Sequence, residues 1–418
     1  MLVKKFLTRT TDINKACYIW NLVYSILFGF QSVFILAILT RTVGLDEAGV
    51  FTIAYSNATL FLFIGKFGVR NYQVSDISNV HSFGDYFQSR LISTFIMFLV
   101  SFVYVLYCTF TREYSFDKFQ IILWVCISKI PDALEDVYAG EYQKQGRLDI
   151  ALKMMSLRIA VSTVALCICA CWFKNLQLAV IISTIISFVT MCIVIKLTAA
   201  SFRIHWQKDN KSIKTIFAEC FPIFLGTFLN QYINNVPKYA IDTYMTDDVQ
   251  ACYGFIAMPV FVIGLFSNVV LQPAVYSMAE NWARRKKDVF IRQFWQQIAI
   301  ALILTAVAVT GAWFIGCPAL SILYGTDLLK YRYELIVLLV GGGFLAVSQI
   351  LNTVITIIRK QGYLLSSYIL TAVLASFLLD RLVINYGIKG SAVGYTIVVA
   401  VLAIAFSGVF MWGIMKND

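Results

Sequence analysis

The chain has 418 residues, 59% of them hydrophobic and 14% charged, with a formal net charge of +11. Soluble domains run nearer 45–50% apolar and about 25% charged, so this composition excludes a soluble globular protein and describes a polytopic membrane protein. A dozen spans of about 20 residues would take about 240 residues, leaving little chain for a soluble catalytic or nucleotide-binding domain.

Continuous apolar runs fall near 17–40, 48–66, 88–110, 118–140, 151–172, 176–198, 215–237, 250–273, 294–316, 334–357, 363–385 and 390–413. They predict an all-α protein with twelve transmembrane helices; the ten-residue alternating segments of a β-barrel are missing. Lys4, Lys5 and Arg9 make a basic start. The run behind them is too long for a signal-peptide core and lacks a small-residue cleavage site, so the first span is expected to be retained.

The loops divide by charge. Of 34 Lys and Arg, 23 fall in one set of alternate loops and 8 in the other. The positive-inside rule puts the richer set, and with it both termini, in the cytoplasm. That set carries a net +14, the outer loops −1 and the spans −2. The basic excess therefore reads as topology and attraction to anionic headgroups, not as a nucleic-acid signal.

Ionisable groups at membrane depth are costly and point to function. The fourth span carries Lys129, Pro131, Asp132, Glu135 and Asp136, with Lys129, Asp132, Asp136 and Gln143 on one helical stripe. Pro131 is expected to kink it. Arg158 in the fifth span lies about 10 Å deep, and Asp132 about 12 Å deep on the antiparallel neighbour. Arg158 is therefore predicted to pair with Asp132, Glu135 or Asp136, either as a structural lock or as the lining of a cavity that senses protons, sodium or substrate. Three acids against Lys129 and Arg158 would leave one acid in surplus, a candidate proton holder.

In the seventh span Asn230, Asn234 and Lys238 share a face. Amides suit sugar hydroxyls. Lys238 could meet a phosphate or simply snorkel to the interface. Five of the six prolines (Pro131, Pro222, Pro237, Pro259, Pro273) cluster in the fourth, seventh and eighth spans, as in transporters with broken helices. Polar stripes in the first span (Asn21, Ser25, Gln31) and the tenth (Gln349, Asn352, Thr356) support a wet cavity. The ten cysteines fall mostly within spans and read as small apolar fillers; Cys167, Cys169 and Cys171 face different directions on a helix and have no His near them in sequence.

Short matches recur about half a chain apart. Lys144-Gln145-Gly146 reappears as Lys360-Gln361-Gly362, and Ala179-Val180 as Ala392-Val393. They predict two parallel six-helix lobes, 1–200 and 215–418, joined by a cytoplasmic loop at 201–214. Paired halves favour a transporter. No G-x-x-x-x-G-K-[ST] loop is present, so the driving force is expected from an ion gradient (H+ or Na+), the membrane potential or the substrate gradient, without a cofactor.

Several segments carry a family resemblance: Arg41-Thr42-Val43-Gly44, Glu47-Ala48-Gly49-Val50-Phe51, Phe67-Gly68-Val69-Arg70-Asn71-Tyr72-Gln73, Asp136-Val137-Tyr138-Ala139-Gly140-Glu141-Tyr142-Gln143, Phe221-Pro222-Ile223-Phe224-Leu225-Gly226 and Asn235-Val236-Pro237-Lys238. The chain resembles bacterial polysaccharide-repeat (Wzx-type) flippases of the multidrug/oligosaccharidyl-lipid/polysaccharide exporter superfamily. The resemblance implies a V-shaped MATE-like transporter of the inner membrane. Its substrate would be an undecaprenyl-pyrophosphate-linked oligosaccharide, and its partners membrane lipids, glycosyltransferases and a polysaccharide polymerase. It also implies cationic pyrophosphate contacts, for which the matching candidates are Arg41, Lys66, Arg70, Lys129, Arg158 and Lys238. Two other readings stand beside it. One is a drug/cation antiporter of the same superfamily. The other is a membrane glycan polymerase or acyltransferase, which short outer loops and the loop positions of His81 and His205 disfavour.

Overall fold

A computed structural model describes residues 2–76, 78–202, 204, 206 and 210–416. Side chains at 2, 210, 211, 266, 268–270, 272 and 273 also lie outside the description. His205, part of the 201–214 loop and the Pro273 side chain therefore fall outside the described residues.

The described chain is helical, with no strand among the described residues. In order it forms α1 (Leu2–Thr8), α2 (Ile13–Thr42), α3 (Leu45–Lys66), α4 (Val69–Ser75), α5 (Phe83–Thr111), α6 (Phe116–Ile127), α7 (Ile130–Lys144), α8 (Leu148–Phe173) and α9 (Leu176–Ala199). These are followed by α10 (Asn210–Tyr244), α11 (Asp247–Ala283), α12 (Lys287–Gly311), α13 (Cys317–Tyr324), α14 (Arg332–Ile357) and α15 (Gly362–Met415). A π-helical turn at Ala312–Gly316 joins α12 to α13 within the ninth span.

Ten helical stretches are long and apolar enough to cross a membrane. The remaining two of the twelve expected spans arise in different ways. α15 is two helices broken at Gly387, where φ is 57°. The fourth span is the pair α6–α7, too interrupted and too charged to count as one apolar helix. Its break falls at Ser128–Lys129, just before Pro131. The proline thus sits in the first turn of α7, where its missing N–H costs nothing.

The chain divides into two compact units, Met1–Phe228 and Leu229–Asp418. The division falls inside α10 and not in the 201–214 loop. The cause is aromatic: Phe224 stacks on Phe67 at 4.3 Å and Phe217 meets the same ring edge-on at 5.1 Å. The first half of α10 is thereby tied to the first unit.

In that unit α3 is the central helix. Ala48, Gly49, Ala54, Ala58 and Gly65 keep it slim, while Thr52 and Ser56 return their hydroxyls to carbonyls one turn back, at 2.8 Å each. It can then be buried on several sides without unsatisfied hydroxyls. α3 packs on α5 and α6, α2 on α8, and α7 lies among α4, α5 and α8. Phe67 and Gly68 both take left-handed φ (47° and 68°). This reversal turns the chain from α3 into α4 and lays Arg70 and Gln73 against α7. Ile223 lies close enough to Gly68 that a Cβ there would crowd it at 3.1 Å.

In the second unit α14 packs on α11, α12 and α15. Gly341 lets α15 approach: a Cβ at this position would lie 2.9 Å from both Thr396 and the Tyr395 ring. Thr396 donates to the Val337 carbonyl at 2.8 Å across the same contact.

Candidate functional site: a buried ion-pair network in the first unit

α7 presents Asp132, Glu135 and Asp136 to cations on four neighbouring helices. Arg158 of α8 bridges two of them: its Nη2 meets Asp132, and its Nε donates to Glu135 at 2.5 Å. Arg158 Nη1 also donates to Ser187 of α9 at 3.2 Å. Lys129 lies 3.4 Å from the other oxygen of Asp132 and 4.6 Å from the Tyr55 ring centre. Asp136 receives three cations: Arg90 of α5 at 2.8 Å, Arg70 of α4 at 3.4 Å and Lys66 of α3 at 3.9 Å. Arg70 continues to Gln143 Oε1 at 2.9 Å, so Gln143 belongs to the stripe as its spacing implied.

Arg90, counted among the cytoplasmic-loop cations although it stands at the edge of the third apolar run, is an internal partner outside the candidate set. It is 0% exposed and spends Nη1 on the Gly65 carbonyl at 2.8 Å, which Ser93 Oγ also reaches at 2.7 Å. The sequence did hold a signal. Ser89, Ser93 and Ser101, all buried, mark a small polar face of the third span beside Arg90. Its inclusion corrects the expected charge balance. Two ion-pair groups lie side by side on α7, Lys129 and Arg158 with Asp132 and Glu135, and Lys66, Arg70 and Arg90 with Asp136, which makes five cations for three carboxylates.

Beside the network lies a polar cavity of about 40 Å³, bounded in part by Gln31, Tyr55, Lys129, Asp132, Arg158 and Ser187. That is room for two or three waters. Gln31 donates to Thr163 at 3.0 Å on its wall. The polar stripe of the first span therefore does reach the acidic stripe of the fourth.

The remaining candidates sit elsewhere. Arg41 lies in the last turn of α2. Asn230, Asn234, Lys238 and Asn352 belong to the second unit. There the Asn234 amide nitrogen is spent on the Asn230 carbonyl at 2.9 Å, while its oxygen accepts from Tyr395 at 3.4 Å. Lys238 is half-buried and makes no ion pair among the described residues. The Asn352 carbonyl accepts from Thr356 at 2.8 Å. No group of His, Cys, Asp or Glu disposed to hold a metal ion occurs among the described residues.

The end of α4 is anchored by Asp76, outside the spans. Its carboxylate accepts from the Val80 and His81 amides at 2.9 and 3.1 Å and from the Tyr86 hydroxyl at 2.9 Å, with Lys144 at 3.4 Å. Burial pushes this carboxyl up, but the four donors outweigh it and hold it below its ordinary value.

A family model described as "polysaccharide biosynthesis protein" matches residues 18–282. The chain belongs to the polysaccharide biosynthesis protein family. The matched stretch contains the whole ion-pair network. The family member is 23% identical over 384 residues to the capsular polysaccharide biosynthesis protein CapF of Staphylococcus aureus, covering 90% of this chain and 93% of the relative. Its fold is similar to the lipid II flippase MurJ in an inward closed conformation (TM-score 0.71, 14% identity, 94% of this chain and 91% of the other). An inward-facing multidrug MATE transporter of the MOP superfamily gives a TM-score of 0.69 at 13% identity, covering 96% and 98%. A MATE transporter of Vibrio cholerae, VcmN, gives 0.65 at 15%, covering 97% and 98%. This polysaccharide biosynthesis protein is therefore a multi-pass membrane protein with a transporter fold.

Proposed function

We propose that the protein is a flippase. It moves an undecaprenyl-pyrophosphate-linked oligosaccharide from the cytoplasmic to the outer leaflet of the bacterial inner membrane by alternating access, for surface polysaccharide assembly. The observation that carries this reading is the cation excess of the buried network. Asp136 is already neutralised by fully buried Arg90, yet Lys66 and Arg70, about a quarter exposed, share the same carboxylate. Both reach a carboxylate that already has a partner, and both keep donors that can turn toward a second anion. A pyrophosphate needs several charge-assisted donors of this kind. Family membership supports the polysaccharide pathway, and the MurJ-like and MATE-like fold supports transport. The carrier lipid, an H+ or Na+ gradient as the driving force, and work beside glycosyltransferases and a polymerase belong to the same proposal.

The drug/cation antiporter reading fits less well, because each acid of the cluster is already engaged by arginine. Deletion in the producing strain should abolish the surface polymer and cause lipid-linked repeat units to accumulate on the inner leaflet. Re-expression of the K66Q/R70Q double variant at normal protein level should not restore the polymer. Unchanged polymer on deletion, or full rescue by that variant, would refute the proposal.

A further inference from the structure

Residues 3–16 build a second cationic feature that the transport reading does not use. α1 is clamped to the start of α8. Leu7 is fully buried against Tyr142, Ile150 and Met154. Lys153 donates to the Phe6 and Arg9 carbonyls at 3.3 Å each and to Thr10 Oγ1 at 2.9 Å. Arg147 donates to the Thr8 carbonyl at 3.2 Å and grips both oxygens of Asp149. Every terminal carbonyl in this turn that receives these bonds is fixed by a buried or half-buried cation, so the turn is held in shape.

That fixed turn sets Arg9 and Lys15 on the rim of an open hollow of about 780 Å³, with Lys153 and Trp20 in its wall. Arg9 and Lys15 are exposed and make no ion pair among the described residues. The carboxylate in the lining, Asp12, caps α2 by accepting from the Lys15 amide at 3.0 Å. Trp20 packs edge-on to Phe6 at 5.5 Å, the kind of aromatic pair found at a membrane interface. Below Lys15, on the same face of α2, Ile19, Leu22 and Ile26 are all more than 40% exposed. The stretch from Lys15 to Ile26 rises about 16 Å, close to half of the roughly 30 Å hydrocarbon core.

We propose that this hollow binds an anionic phospholipid, with its phosphate between Arg9 and Lys15 and an acyl chain along Ile19, Leu22 and Ile26. The continuity of the cationic pair with an apolar track one leaflet long favours a lipid over a free anion. The test is native mass spectrometry of the full chain in mild detergent, titrated with phosphatidylglycerol, phosphatidylethanolamine or inorganic phosphate. Phosphatidylglycerol should bind in preference to phosphatidylethanolamine and resist displacement by phosphate. Each interfacial cation is worth about fivefold in affinity, so R9Q/K15Q should weaken phosphatidylglycerol binding about thirtyfold. K286Q/R292Q, around the start of α12 in the second unit, should leave it unchanged. If the double variant does not fold, K15Q alone should show the fivefold loss. Equal retention of both lipids, undiminished binding by R9Q/K15Q (or by K15Q where it stands in), an equal loss in K286Q/R292Q, or displacement by phosphate would each overturn the proposal.

Discussion

Asp136 and Arg90 should respond unequally to removal. Asp136→Asn takes the negative charge from three cations at once. Lys66 and Arg70 are partly exposed and can recover water, but Arg90 is fully buried and keeps only the Gly65 carbonyl as a charge-independent partner. Stripping one partner from a buried pair costs about 3–5 kcal/mol. In a unit of this size each kcal/mol moves the midpoint by about 2–4 °C, so the detergent-solubilised variant should melt about 6–20 °C lower. Arg90→Met removes a 2.8 Å charged bond, but Asp136 retains Arg70 and Lys66. Its cost should be nearer the 1.5–3 kcal/mol of a charged hydrogen bond. The assay is a thermal unfolding scan of wild type, both single variants and the double variant R90M/D136L, in which no buried charge is left bare. The double variant should be more stable than D136N. Equal or reversed losses for R90M and D136N would refute the argument that Arg90 depends on Asp136 more than Asp136 depends on Arg90.

Other outcomes follow from the same geometry. D132N should destabilise more than E135Q, because Asp132 serves both Arg158 and Lys129 whereas Glu135 serves Arg158; membrane protein level and melting temperature of the two variants test this ordering. Asp76, held below its ordinary value, contributes stability that is fully present above about pH 4 and is lost as pH falls through its lower folded value. D76N should remove that acid-sensitive component from a melting-temperature–pH profile. G341A would force a methyl group into Tyr395 and Thr396 and should cost about 1–3 kcal/mol through overpacking; Y395A in the same chain should relieve part of the loss.

The span plan was legible because apolar run length is a direct reading of bilayer thickness. The pairing of Arg158 was legible because antiparallel neighbours share depth. It was underestimated, though: depth names the level of a partner, and one guanidinium at that level can reach two acids on successive turns. Arg90 was hidden for a different reason. Arg90 stands at the very start of the apolar run, on a helix that begins at Phe83, and only its contacts with Gly65 of α3 and Asp136 of α7 make it internal. Asn234 was legible as a polar position on a shared face, but the sequence could not show that its amide nitrogen would close on its own helix. The unit boundary inside α10 depends on a long-range aromatic contact to Phe67, which leaves no local mark in the sequence. α10 already begins at Asn210, within the loop expected over 201–214, because the short polar start of that helix carries no apolar run to announce it.

The break between α6 and α7 bears on how the protein is made. α6 alone spans about 18 Å, short of the hydrocarbon core, and an Asp at the bilayer centre opposes insertion by about 2.5–3.5 kcal/mol. α7 brings Asp132 and Asp136 together with Glu135, so neither half of the fourth span is a good membrane segment when it leaves the ribosome. Arg90 has by then been synthesised and Arg158 has not. The charge cost of the fourth span is therefore offset only when the fifth lies beside it, because Arg158 engages both Asp132 and Glu135.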